Sequence, residues 1–491
     1  MTARAVMVLG TTSGAGKSWL ATAMCRWVAR QGLKVAPFKA QNMSNNARVV
    51  PGPGGAMGEI GSAQYFQALA ARAAPEVRMN PVLLKPERDT HSQVVVMGQV
   101  HDESTALPWR ERSERLWPFA RDALHALMAE NDVVVIEGAG SAAEINLHAS
   151  DFVNMRTARE VQAACLLVTD IDRGGAFAHL YGTHALLPAD ERALVRGVVL
   201  NRFRGDARLL APGPEQLQQL TGVPTVAVLP MWRGHGLPEE DGVFDEAASG
   251  ALDGLQIAVV AFPHISNLDE FQPLRAAPGV RLRWVRTPAE LAGAAWVLLP
   301  GSKQTSSDLA WLRATGMADA VLRHAKAGGR VLGVCGGLQM LGVEMIDPHG
   351  VDGASNGHHE GLGLLPLVTR FERVKLLRRT QARFAALGAP WAALSHTALA
   401  GYEIRQGRTQ AQADARDTCA VLHNEAGDAI GWQRGNVLGV YAHGLFESPA
   451  VMRALFGAEH RSLDAVFDGL ADFIDTHFQP GVLHALIRGP R

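Results

Sequence analysis

The chain has 491 residues, of which 47% are hydrophobic and 19% charged, with a formal net charge of −1. Such a composition excludes a disordered chain, and the balanced charge gives no basic stripe for nucleic acid and no polybasic run for a membrane surface. The length calls for two to four domains.

In chain order, the first apolar run is "AVMVLG" (5–10). It is too short for a signal peptide and runs straight into a glycine-rich loop. No stretch of about 18 apolar residues follows anywhere, so no transmembrane helix is expected, and the expected location is cytoplasmic. Further short runs are "KVAPFK" (34–39), "DVVVIEG" (132–138), "CLLVTD" (165–170), "GVVLN" (197–201) and "TVAVLP" (225–230). Continuous apolar runs, separated by helical patterns, predict buried parallel strands in a doubly wound α/β fold. Residues 233–254 are rich in glycine and acid and read as a linker. Strands resume at 255–262, 280–285, 294–301, 329–335 and 437–444, which predicts a second doubly wound α/β domain. The expected divisions are therefore 1–232, a linker 233–254, 255–451 and a helical tail 452–491.

The loop "GTTSGAGKS" (10–18) follows the first predicted strand and opens a helix, as a phosphate loop requires. Its backbone N–H groups, with Gly14 and Gly16, point at phosphate oxygens of ATP, while Lys17 reaches the β- and γ-phosphates and Ser18 holds Mg²⁺. The strict pattern has glycine where Thr11 stands; here the glycine is one place earlier, at Gly10. Glu137, at a strand end, is the candidate second metal ligand. "TDIDRGGAF" (169–177) sets Asp170, Asp172 and Arg173 at the carboxyl edge of the sheet, where ligands of open α/β sheets gather. Asn201, at another strand end, has an amide able to read adenine, or to serve as a turn residue.

Four cysteines, Cys25, Cys165, Cys335 and Cys419, are widely spaced with no CxxC pair. Neither a disulfide framework nor a zinc site is expected. "GVCGGLQMLG" (333–342) is different: a strand, then a cysteine among three glycines, then a helix, which is the layout of a nucleophile elbow. The helix start favours thiolate, and the N–H of Gly336 points toward an oxyanion. The other three cysteines read as core. A cysteine nucleophile needs a base, and two strand-end histidines compete, His443 in "VYAHGLFE" and His396 in "LSHTALAG".

Together these stretches, with "PFKAQNMSNN", "EGAGSAAEINL", "GVVLNRFRGD", "LPGSKQTSSDL" and "GYEIRQGR", resemble the cobyric acid synthase family of cobalamin biosynthesis. In that family a phosphate-loop domain similar to dethiobiotin synthetase is fused to a triad-type glutamine amidotransferase domain. The resemblance runs from residue 10 to 447. It implies Cys335 as glutaminase nucleophile with His443 as its base, Gln339 as a holder of L-glutamine, and Gly301 as a second oxyanion donor. It places ATP and Mg²⁺ on Lys17, Ser18 and Glu137, with adenine at Asn201. It implies adenosylcobyrinic acid a,c-diamide as the corrinoid substrate, with four carboxylates amidated in turn. Gln41, Asn42, Asn45 and Asn46 of the amide-rich loop, with Asp170, Asp172 and Arg173, are candidates to face it.

Two departures stand out. Where ordinary triad amidotransferases carry glutamate two residues after the histidine, this chain has Leu445. The base is then oriented by another group or works as a dyad, with Glu447 close in sequence but facing differently. The second departure is at the segment after the second strand, where dethiobiotin synthetase places a metal-binding aspartate and this chain has the amide-rich "QNMSNN". Other readings are cobyrinic acid a,c-diamide synthesis or amidation of another carboxylate by the same machinery, a phosphate-loop ATPase switch, and a binding module with an inactive glutaminase domain.

Overall fold

A computed structural model describes residues 3–88, 91–238, 254–353, 357–413, 415–457 and 462–488. Most of the expected linker 233–254 lies outside the described residues. The chain divides into two compact units. Of the described residues, unit 1 holds those within 3–44, 50–237 and 462–488, and unit 2 those within 45–49 and 238–457. Among the described residues no helix is long and apolar enough to cross a membrane.

Unit 1 is built on six strands: β1 (Arg4–Gly10), β2 (Val35–Phe38), β3 (Val133–Glu137), β4 (Ala164–Asp170), β5 (Val195–Phe203) and β6 (Thr225–Pro230). They pair in parallel in the order β6-β5-β4-β1-β3-β2. Each coincides with one of the six apolar runs. Such runs are needed because the sheet is covered on both faces: Met7 and Leu9 enter one apolar cluster, Val6 and Val8 the other. Helix α1 (Lys17–Arg30) covers one face. Beside it pack the helices Leu463–His477 and Val482–Arg488, so the end of the chain completes the unit that its beginning starts. Buried Arg26 pairs with Asp464 and, at 2.8 Å, with Asp468; Trp27 Nε1 donates to Asp475 at 2.7 Å. A second helix near the phosphate loop is α2 (Ser62–Ala70).

The core of unit 2 is β7 (Leu255–Val260), β8 (Val280–Val285), β9 (Trp296–Leu299) and β10 (Arg330–Val334). The same sheet continues through β11 (Glu344–Ile346), β12 (His358–Glu360), β13 (Leu367–Phe384), β14 (Ala398–Ala411), β15 (Cys419–Asn424), β16 (Ala429–Arg434) and β17 (Val437–Val440). The order is β8-β7-β9-β10-β17-β16-β15-β13-β11-β12, with β14 paired to β13. The five strands from β8 to β17 are parallel and match the five predicted runs. The antiparallel extension from β16 through β14 was not legible in the apolar pattern. Its longest strand reads "LVTRFERVKLLRRTQARF", with a basic residue near every outward position and no apolar run. Cys419, expected in the core, is exposed at the head of β15, whereas Cys25 and Cys165 are buried. Burial pushes the Cys165 thiol up to about 12, which keeps it unreactive.

Candidate functional site

In unit 1 the loop between β1 and α1 explains its own glycines. A Cβ on Gly10 would sit 2.8 Å from Lys17 Nζ and 3.0 Å from the Thr12 carbonyl, so a side chain one place before the usual position would displace the lysine. Thr11 instead donates from Oγ1 to Thr169 Oγ1 at 2.9 Å, tying the loop to β4. Gly14 and Gly16 take φ of 70° and 98°, conformations in which a side chain is strained. Lys17 Nζ folds back onto the carbonyls of Thr12 and Gly140 at 2.9 and 3.0 Å.

Ser18 Oγ donates to Glu137 Oε1 at 2.8 Å, bringing the two expected metal ligands together. Glu137 is 1% exposed and fully engaged. Lys39 Nζ lies 2.7 Å from Oε1, and Gln67 and Gln64 donate to Oε2 at 2.5 and 3.3 Å. Burial alone would raise this carboxyl; Lys39, with the hydrogen bonds from Gln67 and Ser18, outweighs it and holds the group below the usual carboxylate range. Lys39 was not singled out in the sequence. Gln64 and Gln67 carried a signal, two amides at i and i+3 on a helix that is otherwise apolar. Among the described residues no cluster of three His, Cys, Asp or Glu side chains forms a metal cage. A hydroxyl and a carboxylate beside a phosphate loop still fit Mg²⁺, which takes few protein ligands and keeps phosphate oxygens and water.

Other expected residues are placed differently. Asn201 Nδ2 donates to Ala15 O at 2.9 Å and its Oδ1 accepts from Arg202 N–H, so its amide braces the phosphate loop. Asp170 pairs with Arg202 at 3.0 Å and more loosely with Arg173, and Asp172 accepts from Arg204 Nε at 2.6 Å. Beyond Asn201, at the carboxyl ends of β5 and β6, an open cavity of about 630 Å³ is lined by Phe203, Arg204, Pro230, Met231 and Arg233 among others. The amide-rich loop is split: Gln41 and Asn42 lie in unit 1, Asn45 and Asn46 in unit 2. Asn42 Oδ1 accepts from its own neighbour, Met43 N–H, at 3.0 Å.

In unit 2 the chain leaves β10, turns at Cys335 and enters the short helix α3 (Gly336–Leu341). Cys335 takes φ 51° and ψ −104°, a strained conformation for a residue with a side chain. The flanking glycines pay for the tight corner: a Cβ on Gly333 would meet Gly337 C at 2.6 Å, one on Gly337 the Leu299 carbonyl at 1.9 Å, and one on Gly336 Ser302 N at 2.7 Å. Gly301 is constrained less severely: its Cβ would sit 2.9 Å from Ser266 Oγ and 3.1 Å from His443 Cε1. Gln339 is buried and accepts from Thr305 Oγ1 at 3.2 Å while its Nε2 donates to Tyr441 Oη at 3.4 Å.

His443 follows β17 and is 1% exposed. It lies beside the Cys335 side chain, whose Sγ is 3.6 Å from the Ile404 carbonyl oxygen. Its Nδ1 lies 2.9 Å from Glu270 Oε1, and Gly444 N–H donates to Glu270 Oε2 at 3.0 Å. The Tyr402 ring stacks on the imidazole, with centroids 5.2 Å apart. Burial alone would lower the histidine; Glu270 and Cys335 outweigh it and raise it to about 10. The rival His396 is exposed in a turn. Glu270 thus supplies the carboxylate missing at Leu445, which is core, and Glu447 pairs with Arg48. Glu270 sits 173 residues before the histidine, in the turn Leu268–Phe271, where the sequence carries no strand-end signature.

Comparison with known proteins follows this division. Residues 6–234 match the family model of the CobQ/CobB/MinD/ParA nucleotide binding domain, and residues 256–451 that of the CobB/CobQ-like glutamine amidotransferase domain. The chain is 71% identical to the cobyric acid synthase of Methylibium petroleiphilum, over 99% of this chain and 97% of that protein. It is 68% identical to those of Leptothrix cholodnii (99% and 97%) and Variovorax paradoxus (99% and 100%).

Proposed function

The chain belongs to the cobyric acid synthase family, and from that premise we propose that it amidates the b, d, e and g side-chain carboxylates of adenosylcobyrinic acid a,c-diamide, with glutamine as nitrogen donor and ATP as activator. The observation that carries this reading is the buried Cys335–His443–Glu270 constellation in the amidotransferase stretch.

In unit 2 the Cys335 thiolate adds to the side-chain carbonyl carbon of glutamine. Gly301 and Gly336 are the proposed N–H donors to the resulting oxyanion. His443, kept as imidazolium by Glu270, gives its proton to the amide nitrogen as the C–N bond breaks. Ammonia leaves and a γ-glutamyl thioester remains. Neutral His443 then takes a proton from water as the water oxygen attacks the thioester, releasing glutamate and restoring the thiolate–imidazolium pair.

In unit 1 Gly14, Gly16 and Lys17 cradle the phosphates of ATP, Lys17 exchanging its two carbonyl partners for phosphate oxygens. A corrinoid carboxylate oxygen attacks the γ-phosphorus, ADP leaves, and an acyl phosphate forms. Ammonia adds to the acyl carbon, the C–O bond to phosphate breaks, and after loss of a proton an amide and inorganic phosphate remain. Ser18 and Glu137 would hold Mg²⁺, which when bound offsets charge on the β- and γ-phosphate oxygens. Asn201 holds the loop in place, and the cavity next to it suits the adenine ring, with apolar walls from Phe203, Pro230 and Met231.

Mass spectrometry of cobyrinic acid a,c-diamide incubated with the chain, MgATP and glutamine tests the reading. Stepwise conversion of four carboxylates to amides is the expected result. ATP hydrolysis with an unchanged corrinoid would leave the machinery and remove the substrate.

A further inference from the structure

Arg48 lies in the stretch matched by the nucleotide-binding family model, yet it belongs to unit 2 and is only 2% exposed. Its guanidinium takes Glu447 bidentately, Nη1 to Oε2 at 2.8 Å and Nη2 to Oε1 at 2.6 Å. Nη2 also binds Asp269, a carboxylate with no exposure. The same guanidinium lies 5.1 Å over the ring of Tyr402, whose other neighbour is His443. The two residues before it grip the same turn. Asn46 Oδ1 accepts from Leu268 N–H at 2.9 Å, and Ala47 N–H donates to Asn267 Oδ1 at 2.8 Å. Asn267 holds φ 53°, a left-handed conformation for a non-glycine residue, and its Nδ2 lies 3.4 Å from both ring nitrogens of His443.

The turn Leu268–Phe271 thus presents two adjacent carboxylates to two cations: Asp269 to Arg48, Glu270 to His443. With Glu447, this cluster holds three carboxylates. Removing the guanidinium would leave Asp269 fully buried, and Glu447 largely so, without their partner, which is strongly unfavourable for the former. The other cation of the cluster is His443, which Glu270 already holds. Relief comes by drawing His443 away from Glu270 or by moving the turn, and either displaces the base from the sulfur.

We propose that Arg48 is a positioning residue of the glutaminase: it neutralises Asp269 and Glu447 and so keeps Glu270 on His443. The amidotransferase stretch 256–451 is then incomplete without residues 46–48. The inference rests on the glutaminase reading of Cys335 and His443. A lysine at this place keeps the charge but not the fork that grips both carboxylates at once.

The test uses full-length chains: wild type, Arg48→Met, Arg48→Lys, and Arg48→Met combined with Asp269→Asn. Glutamate release gives kcat and KM, and corrinoid amidation with ammonium reports on unit 1. Misplacing a base by about 1 Å costs about 10²-fold, so Arg48→Met is expected to lose about that much kcat. Its KM for glutamine should change less than about threefold, and its ammonium-dependent amidation should stay at the wild-type rate, with Arg48→Lys falling between. Adding Asp269→Asn should recover about tenfold, because a smaller uncompensated charge is left. Two results would overturn the proposal. One is a kcat for Arg48→Met within about twofold of wild type. The other is an equal loss of glutamine- and ammonium-dependent activity that Asp269→Asn does not relieve. A wild-type chain that releases no glutamate, or a Cys335→Ala chain that still does, would instead overturn the glutaminase reading and the proposal with it.

Discussion

Each unit buries a charge at its site, and the two hold it by different means. Glu137 in unit 1 faces one cation, Lys39, and neutral donors from Ser18, Gln64 and Gln67. His443 in unit 2 faces Glu270 and Cys335, with Asp269 and Glu447 close behind and Arg48 between them. Neutral donors spread the work, so losing one leaves the carboxylate still served. A cluster of full charges is less forgiving, because each partner that leaves strands another buried charge.

The comparison breaks most completely at the reacting groups. Cys335→Ala is expected to lower glutamine-dependent amidation by about 10³-fold or more while leaving ammonium-dependent amidation unchanged. Lys17→Ala should stop amidation with either nitrogen source, by about 10²–10³-fold, since it removes a charge aimed at the transferring phosphoryl group. Steady-state rates with each donor separate the two.

Glu270→Gln sharpens it next. Burial alone would lower His443, and Glu270 with Cys335 outweighs this to raise it from 6.5 to about 10. A raised pKa means that the imidazolium contributes stability fully below about 6.5 and loses it as pH rises through about 10. Without the charge of Glu270 the alkaline limb of glutamate release should move down by about one to three units, and kcat should fall about 10²-fold. A pH–rate profile that keeps its alkaline limb would show that Glu270 does not hold the proton on His443.

Gln67→Ala is milder. It removes one of several hydrogen bonds to a buried carboxylate, a loss of about 1.5–3 kcal/mol, to be read as a lower Tm and weaker MgATP binding. At the small end, Asp472→Ala cuts an exposed pair with Arg30 and should change stability by less than about 1 kcal/mol in a denaturant titration.

The same contrast governs what could be read from the sequence. The inner parallel strands announce themselves because burial on both faces demands unbroken apolar runs, whereas β8, at the sheet edge, alternates as VRLRWV. The phosphate loop and the cysteine corner are local, and their glycines are forced by neighbours a few residues away or on the adjacent strand. Strand β13 stays hidden because charged residues recur along its whole length and leave no apolar run. Glu270 and Arg48 stay hidden for a different reason: 173 residues part Glu270 from His443, 399 part Arg48 from Glu447, and no local pattern marks either meeting. Asn201 reads as facing adenine through the family resemblance or as a turn residue, and Asn46 as a candidate to face the corrinoid; no local pattern marks the backbone that each side chain holds. An asparagine binds whatever backbone reaches it first, and here that is Ala15 and Leu268.

The most direct test of two sites with divided labour follows the nitrogen. The wild-type chain would be given MgATP, cobyrinic acid a,c-diamide and glutamine labelled with ¹⁵N at its side-chain amide, beside Cys335→Ala given the same mixture and Cys335→Ala given ¹⁵N-ammonium. Label in the corrinoid amides of the first and third reactions and none in the second is the predicted result. Label in the second reaction would mean that the nitrogen does not pass through Cys335, and the division proposed for the two units would fall.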